Sequence, residues 1–428
     1  MAAKKQIVRK PAGKGVPHKG KAAAGGGFVF ADPKPTPDDY SGFSKADVLA
    51  DSNIKAAPHL EPFPASRKPE VLSLDQVLGA DETAQIKAAG NIVFHSVGDT
   101  GGIKEPSKQF AVADAMAVDL EGKTYQNGRP AFFFHLGDVV YYLGQERYYY
   151  DQFYDPYRDY DAPIFAIPGN HDGMISPSLG LKTLAGFLGN FCTTQPTKDP
   201  EAQGFARTTM TQPGVYFTLD APFVKIIGLY SNTSEGGTQG VISGKAVGMA
   251  QLTFLQQQLQ AAAQQRKSGD HRALIIAVHH PPFTGSEDHA PSSNVLTDLD
   301  GACKTAGIMP DLVLSGHAHL YERYTRYVGG NEIPFVVAGM GGYFNLSGFK
   351  FSKKGGGPPQ TPAHGSDIKG NKLTLEKYDD RDFGFLRLDV STTALKCAFL
   401  TVDVNTRTTK GVEDSFTLDL NRHTVTTP

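Results

Sequence analysis

Five short segments of this 428-residue chain bring together carboxylate, amide, imidazole and phenol groups at spacings suited to holding metal ions. They are Gly98-Asp99-Thr100-Gly101, Gly137-Asp138-Val139-Val140-Tyr141, Gly169-Asn170-His171-Asp172, Ile276-Ala277-Val278-His279 and Gly316-His317-Ala318-His319. Each is a weak signal alone; their value lies in the conjunction. Two multivalent cations a few ångströms apart repel strongly, so an anionic oxygen has to lie between them. Asp99 and Asp138 are the leading carboxylates for that task. Asn170 offers a neutral oxygen for a hard ion, and His279, His317 and His319 offer nitrogens suited to Zn, Fe or Mn. His317 and His319 are two apart, so on an extended segment both point to one side. The competing use for Asp99 and Asp138 is capping of the helices that follow them.

Most of these segments follow short apolar runs that read as strands. Residues 92–97, 131–136 and 163–167 are such runs before the first three, and 273–278 and 312–314 before the last two. Helical spacing of apolar residues predicts helices over 107–120, 179–191, 249–265 and 295–306. A short helix is expected over 71–87. Residues 214–219 and 223–230 read as a hairpin with its turn at 220–222. A further strand is expected over 335–338, a mobile Gly/Pro-rich loop over 355–367, and antiparallel strands over 385–390, 394–402 and 415–420. Alternating strands and helices imply an α/β core, the later hairpins imply a second sheet, and ligands gather at strand C-terminal ends in such folds.

The five motifs resemble GDxG, GDxxY, GNH[DE], VxxH and GHxH, the marks of the purple acid phosphatase family within the calcineurin-like metallophosphoesterase superfamily. All occur in order, with Ile276 in place of Val, and His319-Leu320-Tyr321-Glu322-Arg323 continues the likeness. It runs from about Ile92 to Arg323. Most of the superfamily reads D-x-H in the first motif, where Gly101 stands here, and Tyr141 offers a substitute ligand. A phenolate needs a strong Lewis acid to keep its proton off, which favours Fe(III).

The resemblance implies a two-sheet αββα sandwich over residues 68–428 that holds two metal ions. Asp99, Asp138, Tyr141 and His319 would bind the first, and Asp138, Asn170, His279 and His317 the second, with Asp138 bridging. Fe(III) is expected at Tyr141, and Fe(II), Zn or Mn at the second position. Metal-activated water would attack phosphorus, and His171 would protonate the leaving oxygen or bind the phosphate, oriented by Asp172. The expected substrate is a small phosphate monoester. The alternatives are a phosphodiesterase of the same superfamily, its pocket shaped by loops such as 234–240 and 355–367, and a catalytically idle binding scaffold.

Other residues have competing uses. Tyr141 could be a core aromatic and His171 a structural hydrogen bonder. His279-His280-Pro281 fits the family's H-x-P pattern, so His279 is the preferred ligand and His280 is expected on the opposite face or the pocket rim. His95 and His135 are expected in the core or just behind the ligands, and His289 and His364 in solvated loops. Tyr321 and Arg323 are candidates for the substrate side and equally for surface contacts, and Asn232 is a weak pocket candidate.

A net charge of −2 gives no global pull toward nucleic acid or acidic membranes. No apolar run approaches the roughly 20 residues of a membrane helix. Residues 1–31 carry seven Lys or Arg and no acidic side chain, and the stretch to residue 67 is Pro-rich. This composition predicts a disordered tail over 1–67, with weak anionic contacts as its one expected role. It lacks the apolar core of a secretory signal, so a cytoplasmic location is expected, although the family is usually exported. Cys192, Cys303 and Cys397 match no zinc or redox spacing and are expected as buried thiols.

Overall fold

The computed structural model describes residues 61–174, 182–202, 204–233, 240–350 and 359–428. The expected tail therefore lies outside the described residues as far as residue 60, as do 234–239 and 355–358 of the two expected loops. Residues 63–67, placed with the tail from sequence, are bonded to the domain. Phe63 N–H donates to the Val247 carbonyl (3.1 Å) and Ser66 Oγ to Tyr216 O (2.6 Å). The Arg67 guanidinium donates to the carbonyls of Cys192 (2.6 Å) and Gln212 (2.8 Å).

Two large sheets pack face to face. In spatial order, the nine-stranded sheet contains Val71–Ser73, Phe217–Ala221, Val224–Leu229, Ala273–Val278, Leu312–Ser315, Asn331–Ala338, Tyr321–Val328, Lys372–Asp379 and Ala363–Ser366. The seven-stranded sheet contains Thr424–Thr426, Thr408–Asp419, Ala394–Asp403, Gly384–Ser391, Asn91–Val97, Pro130–His135 and Ile164–Ala166. Phe134 meets Phe217 across the gap at 6.2 Å between ring centroids, and Tyr321 stacks on Phe399 at 4.3 Å. The motif strands are buried along nearly their whole length. That is why they read as unbroken apolar runs rather than alternating ones.

Helices Ser107–Val118, Ala250–Lys267 and Ser293–Ala306 supply the covering layers. The last starts where the Ser292 side chain accepts the Val295 N–H and ends at Gly307 in the left-handed region. Among the described residues, no helix is long and apolar enough to cross a membrane. All three cysteines are buried and unpaired.

Several expectations are corrected. Segment 71–87 is not one helix: Val71–Ser73 pairs in parallel with Phe217–Ala221, and Gly79 separates the helices Asp75–Leu78 and Ala80–Ala89. The described part of 355–367 includes a strand, Ala363–Ser366, paired with Lys372–Asp379. Asp367 closes the intervening turn by accepting the N–H groups of Lys369 and Asn371. The C-terminal hairpins do not build a separate sheet. Gly384–Ser391 pairs antiparallel with Asn91–Val97, extending the sheet of the first three motifs, while the strands of the last two motifs belong to the opposed sheet.

Candidate metal centre

Four of the motifs begin at or just past the end of a buried parallel strand, the fourth in chain order runs along the strand Ala273–Val278 to its end at His279, and the loops of the two sheets meet. Asp99 and Asp138 both take a positive φ, 56° and 55°, which turns their carboxylates back over the strand ends. Gly137 makes the second turn feasible: its φ is 98°, and a Cβ there would lie 2.6 Å from His279 Nδ1 and 2.7 Å from Gly169 N.

The seven expected metal ligands converge. Asp138, His279 and His317 each present a ligand atom, all within 4.8 Å of one another. Asn170 Oδ1 is 3.2 Å and Asp138 Oδ2 3.3 Å from His279 Nε2. Asp99 Oδ1 lies 3.5 Å from His319 Nε2 and accepts the Tyr141 hydroxyl at 3.2 Å, while Oδ2 accepts the His317 N–H at 2.8 Å. The Tyr141 hydroxyl is also 3.3 Å from His319 Nε2. His171 sits beside this set. Its N–H donates to Asp138 Oδ1 (2.8 Å), its Nδ1 bonds the Tyr142 carbonyl (2.8 Å), and its ring lies 4.4 Å from that of Tyr141.

The donors fit metal ions on their own chemistry. His279 Nδ1 lies 2.8 Å from the Leu136 carbonyl, to which it must donate. Its Nε2 then faces only acceptor oxygens, an arrangement that calls for a positive charge, whether proton or metal. The electrostatics agree. Burial opposes ionisation of Asp138, yet His279 and His171 hold its carboxyl well below the usual range. Burial works against charge on His279, yet Asp138 and Asp99 push it up to about 9. Burial and then neighbouring imidazoles push His317 well below its ordinary value. Burial, Asp138 and Asp99 raise Tyr141 well above 10, so its ionisation requires a cation nearby.

The surroundings correct several assignments. Asp172 does not orient His171. Its carboxylate accepts the N–H groups of Gly169 (2.9 Å), Val139 and Val140 (both 3.1 Å), tying the second motif to the third. Burial and Asp138 push it up to about 7. His280 is not on the rim: it is buried, bonded to Ser231 (2.8 Å), with its ring 4.1 Å from that of His317. His289 is in an exposed loop as expected, but its half-buried ring turns inward, 4.6 Å from that of His317 and 4.9 Å from that of His319. His364 is exposed, but in the strand Ala363–Ser366. Tyr321 and Arg323 bind Asp414, by the phenol (2.7 Å) and by two guanidinium nitrogens (2.7 and 3.0 Å). Asn232 contacts Tyr230 in a small cleft beside Gly173 and Thr183. His95 and His135 are core residues, bonded to Tyr160 and Asp119 and to Thr100.

Gln152 and Tyr343 went unread in the sequence. Tyr343 packs its ring 4.4 Å from that of Tyr141 and 4.3 Å from that of His319. Neither residue lies in a motif. The one sequence hint for His289 is its closeness, ten residues on, to His279.

The calcineurin-like phosphoesterase family model (Metallophos) matches residues 95–321, just over half of the chain. No curated protein matches. Among solved structures, the chain is similar to GAP50, the anchor in the inner membrane complex of Plasmodium: 15% identity over 75% of this chain and 88% of that one, TM-score 0.47. It is also similar to PhoD, at 11% identity over 79% of this chain and 71% of that one, TM-score 0.44.

Proposed function

The chain belongs to the calcineurin-like phosphoesterase family, and from that premise we propose that it is a two-metal phosphomonoesterase of the purple acid phosphatase type, with residues 68–428 as its catalytic domain. One observation carries the finer assignment. A Cβ at Gly101 would lie 2.6 Å from Tyr141 Cδ2, so the Tyr141 ring fills the space into which a side chain at 101 would project. Its hydroxyl stands within 3.3 Å of both Asp99 and His319. This supports Tyr141 as the ligand that replaces the superfamily histidine.

In this reading Asp99, Asp138, Tyr141 and His319 hold one ion, Fe(III) by the hardness of phenolate. Asp138, Asn170, His279 and His317 hold Fe(II), Zn or Mn. When bound, the ions supply Lewis acidity toward the phosphoryl oxygens and toward water. Asp138 would contribute to both ions: its Oδ2 is 3.3 Å from His279 Nε2, and its charge acts on the Tyr141 phenol. His171, with Nδ1 donating to the Tyr142 carbonyl, leaves Nε2 as the nitrogen that could serve the leaving oxygen or the phosphate. His289, half-buried beside His317 and His319, offers a second imidazole to a bound phosphate.

Elemental analysis of the purified protein tests the reading, combined with turnover of a monoester and a diester chromogenic substrate. About two metals per chain with at least one iron, and preference for the monoester, are expected. Two metals without iron would remove the role of Tyr141, and diester preference would move the activity to the phosphodiesterase class. No metal after reconstitution would leave only a binding scaffold.

A further inference from the structure

We propose that Gln152 is a positioning residue that aims the Tyr141 phenol at the metal pocket. The inference rests on the proposal that Tyr141 is a metal ligand. Tyr141 lies in a turn, where no helix or strand partner satisfies its peptide groups. The Gln152 side chain takes that place. Its Oε1 accepts the Tyr141 N–H (2.9 Å) and its Nε2 donates to the Tyr141 carbonyl (2.8 Å), a two-point grip on one residue's backbone. Gln152 is fully buried and sits in a π turn, Tyr150–Tyr154, an irregularity often found where a helix serves a site.

The grip is itself anchored to the first motif. Gln109 Nε2 donates to the Gln152 carbonyl (2.6 Å), and Gln109 Oε1 accepts the Gly102 N–H (2.9 Å). The loop that carries Asp99 and the turn that carries Tyr141 are thus joined through two buried amides. The bonds of the Gln152 side chain go to the Tyr141 backbone, and it acts on the site through that backbone. The Tyr141 hydroxyl is at the far end of a rigid ring, where a small rotation of the peptide is magnified. A buried amide gripping both peptide groups restricts that rotation.

The test uses the full-length chain, stripped of metal and titrated calorimetrically with Zn(II), with thermal unfolding recorded in parallel. Gln152→Leu removes both hydrogen bonds. It is expected to weaken one of the two Zn(II) sites by about 10- to 100-fold, the usual effect of losing a partner behind a ligand. Tyr141→Phe is expected to weaken the same site, and the double variant to match Tyr141→Phe alone, because Gln152 then has no hydroxyl to aim. Gln152→Glu keeps the size and the acceptor for the Tyr141 N–H and is expected to restore most of the affinity; Gln152→Met, which also removes both hydrogen bonds, carries the same cycle if the leucine variant does not fold. Additive losses in the double variant, or unchanged Zn(II) affinity with a lowered unfolding temperature, would overturn the proposal and leave Gln152 a packing residue. Unchanged affinity in Tyr141→Phe would instead remove Tyr141 as a ligand, and the positioning role with it.

Discussion

Replacing Gly101 with alanine adds a single methyl group at a crowded point of the site. The new Cβ would lie 2.3 Å from Gln152 Oε1, 2.6 Å from Tyr141 Cδ2 and 3.1 Å from the Val139 carbonyl. Carbon–carbon contacts settle at about 3.5–4.0 Å, so the phenol ring has to retreat by roughly 1 Å. Gly101 does not occupy the positive-φ region, so the penalty is steric rather than backbone strain. Overpacking of this kind costs about 1–3 kcal/mol. Displacing Gln152 Oε1 strips the buried Tyr141 N–H of its acceptor, for about 1–3 kcal/mol more. The two share one movement and do not add fully. The expected loss is therefore about 2–4 kcal/mol in urea unfolding, read at unchanged m-value. The same retreat moves the hydroxyl off Asp99 and His319, so elemental analysis should find the metal beside Tyr141 depleted. A loss below about 0.5 kcal/mol with a full metal complement would refute the packing argument and the ligand role built on it.

Asp414→Ala should destabilise the protein by about 3–5 kcal/mol, because it leaves the buried Arg323 guanidinium unpaired. KM for a phosphate monoester should not change, and a raised KM with intact stability would return Arg323 to the substrate side. Burial pushes Glu322 up to about 7 from an ordinary 4.5. A raised folded-state value gives stability that is full below about pH 4.5 and lost as pH rises through about 7, at most roughly 3 kcal/mol. Glu322→Gln should flatten that slope in urea unfolding between pH 5 and 8, and an unaltered slope would exclude Glu322 as its source. Gly301 lies exposed in the helix Ser293–Ala306, and a Cβ added there would meet nothing within 4 Å. Gly301→Ala should therefore raise unfolding stability by about 0.5–1 kcal/mol, and a loss would mean that the helix has a partner on that side.

The motif loops were legible because a buried parallel strand is an unbroken apolar run, and the residue that ends it stands out. Ala273–Val278 and Asn91–Val97 were found almost to the residue for this reason. Which sheet each strand joins was not legible, because an apolar run carries no mark of its neighbour. Tyr321–Val328 was missed for the opposite reason. Its Tyr, Glu and Arg residues look like surface. Arg323 and Arg326 are nonetheless buried, because their partners Asp414, Asp300 and Asp367 arrive from distant parts of the chain. The candidate ligands were visible as residue types, whereas the groups packed behind them were not. Gln152 grips a backbone 11 residues away, an interaction with no fixed spacing. His289 reaches the site on a loop without periodicity.

The split of the site between sheets bears on how its geometry is held. Asp99, Asp138, Tyr141 and Asn170 follow strands of the seven-stranded sheet, while His279, His317 and His319 follow strands of the nine-stranded one. Oxygen donors therefore come from one layer and imidazoles from the other. Gly98 N–H donates to the Ala338 carbonyl (2.8 Å) and Tyr343 N–H to the Asp99 carbonyl (2.9 Å), fastening the layers at the site. Below these bonds, contacts such as Phe134 against Phe217 set the separation of the sheets. A functional site has to be held within about 0.5 Å of its working geometry. Here that tolerance is met by the packed core between the sheets as much as by the loops that carry the ligands. A core substitution far from any motif can then shift the oxygen donors relative to the imidazoles, whereas one in an outer covering helix leaves their separation unchanged.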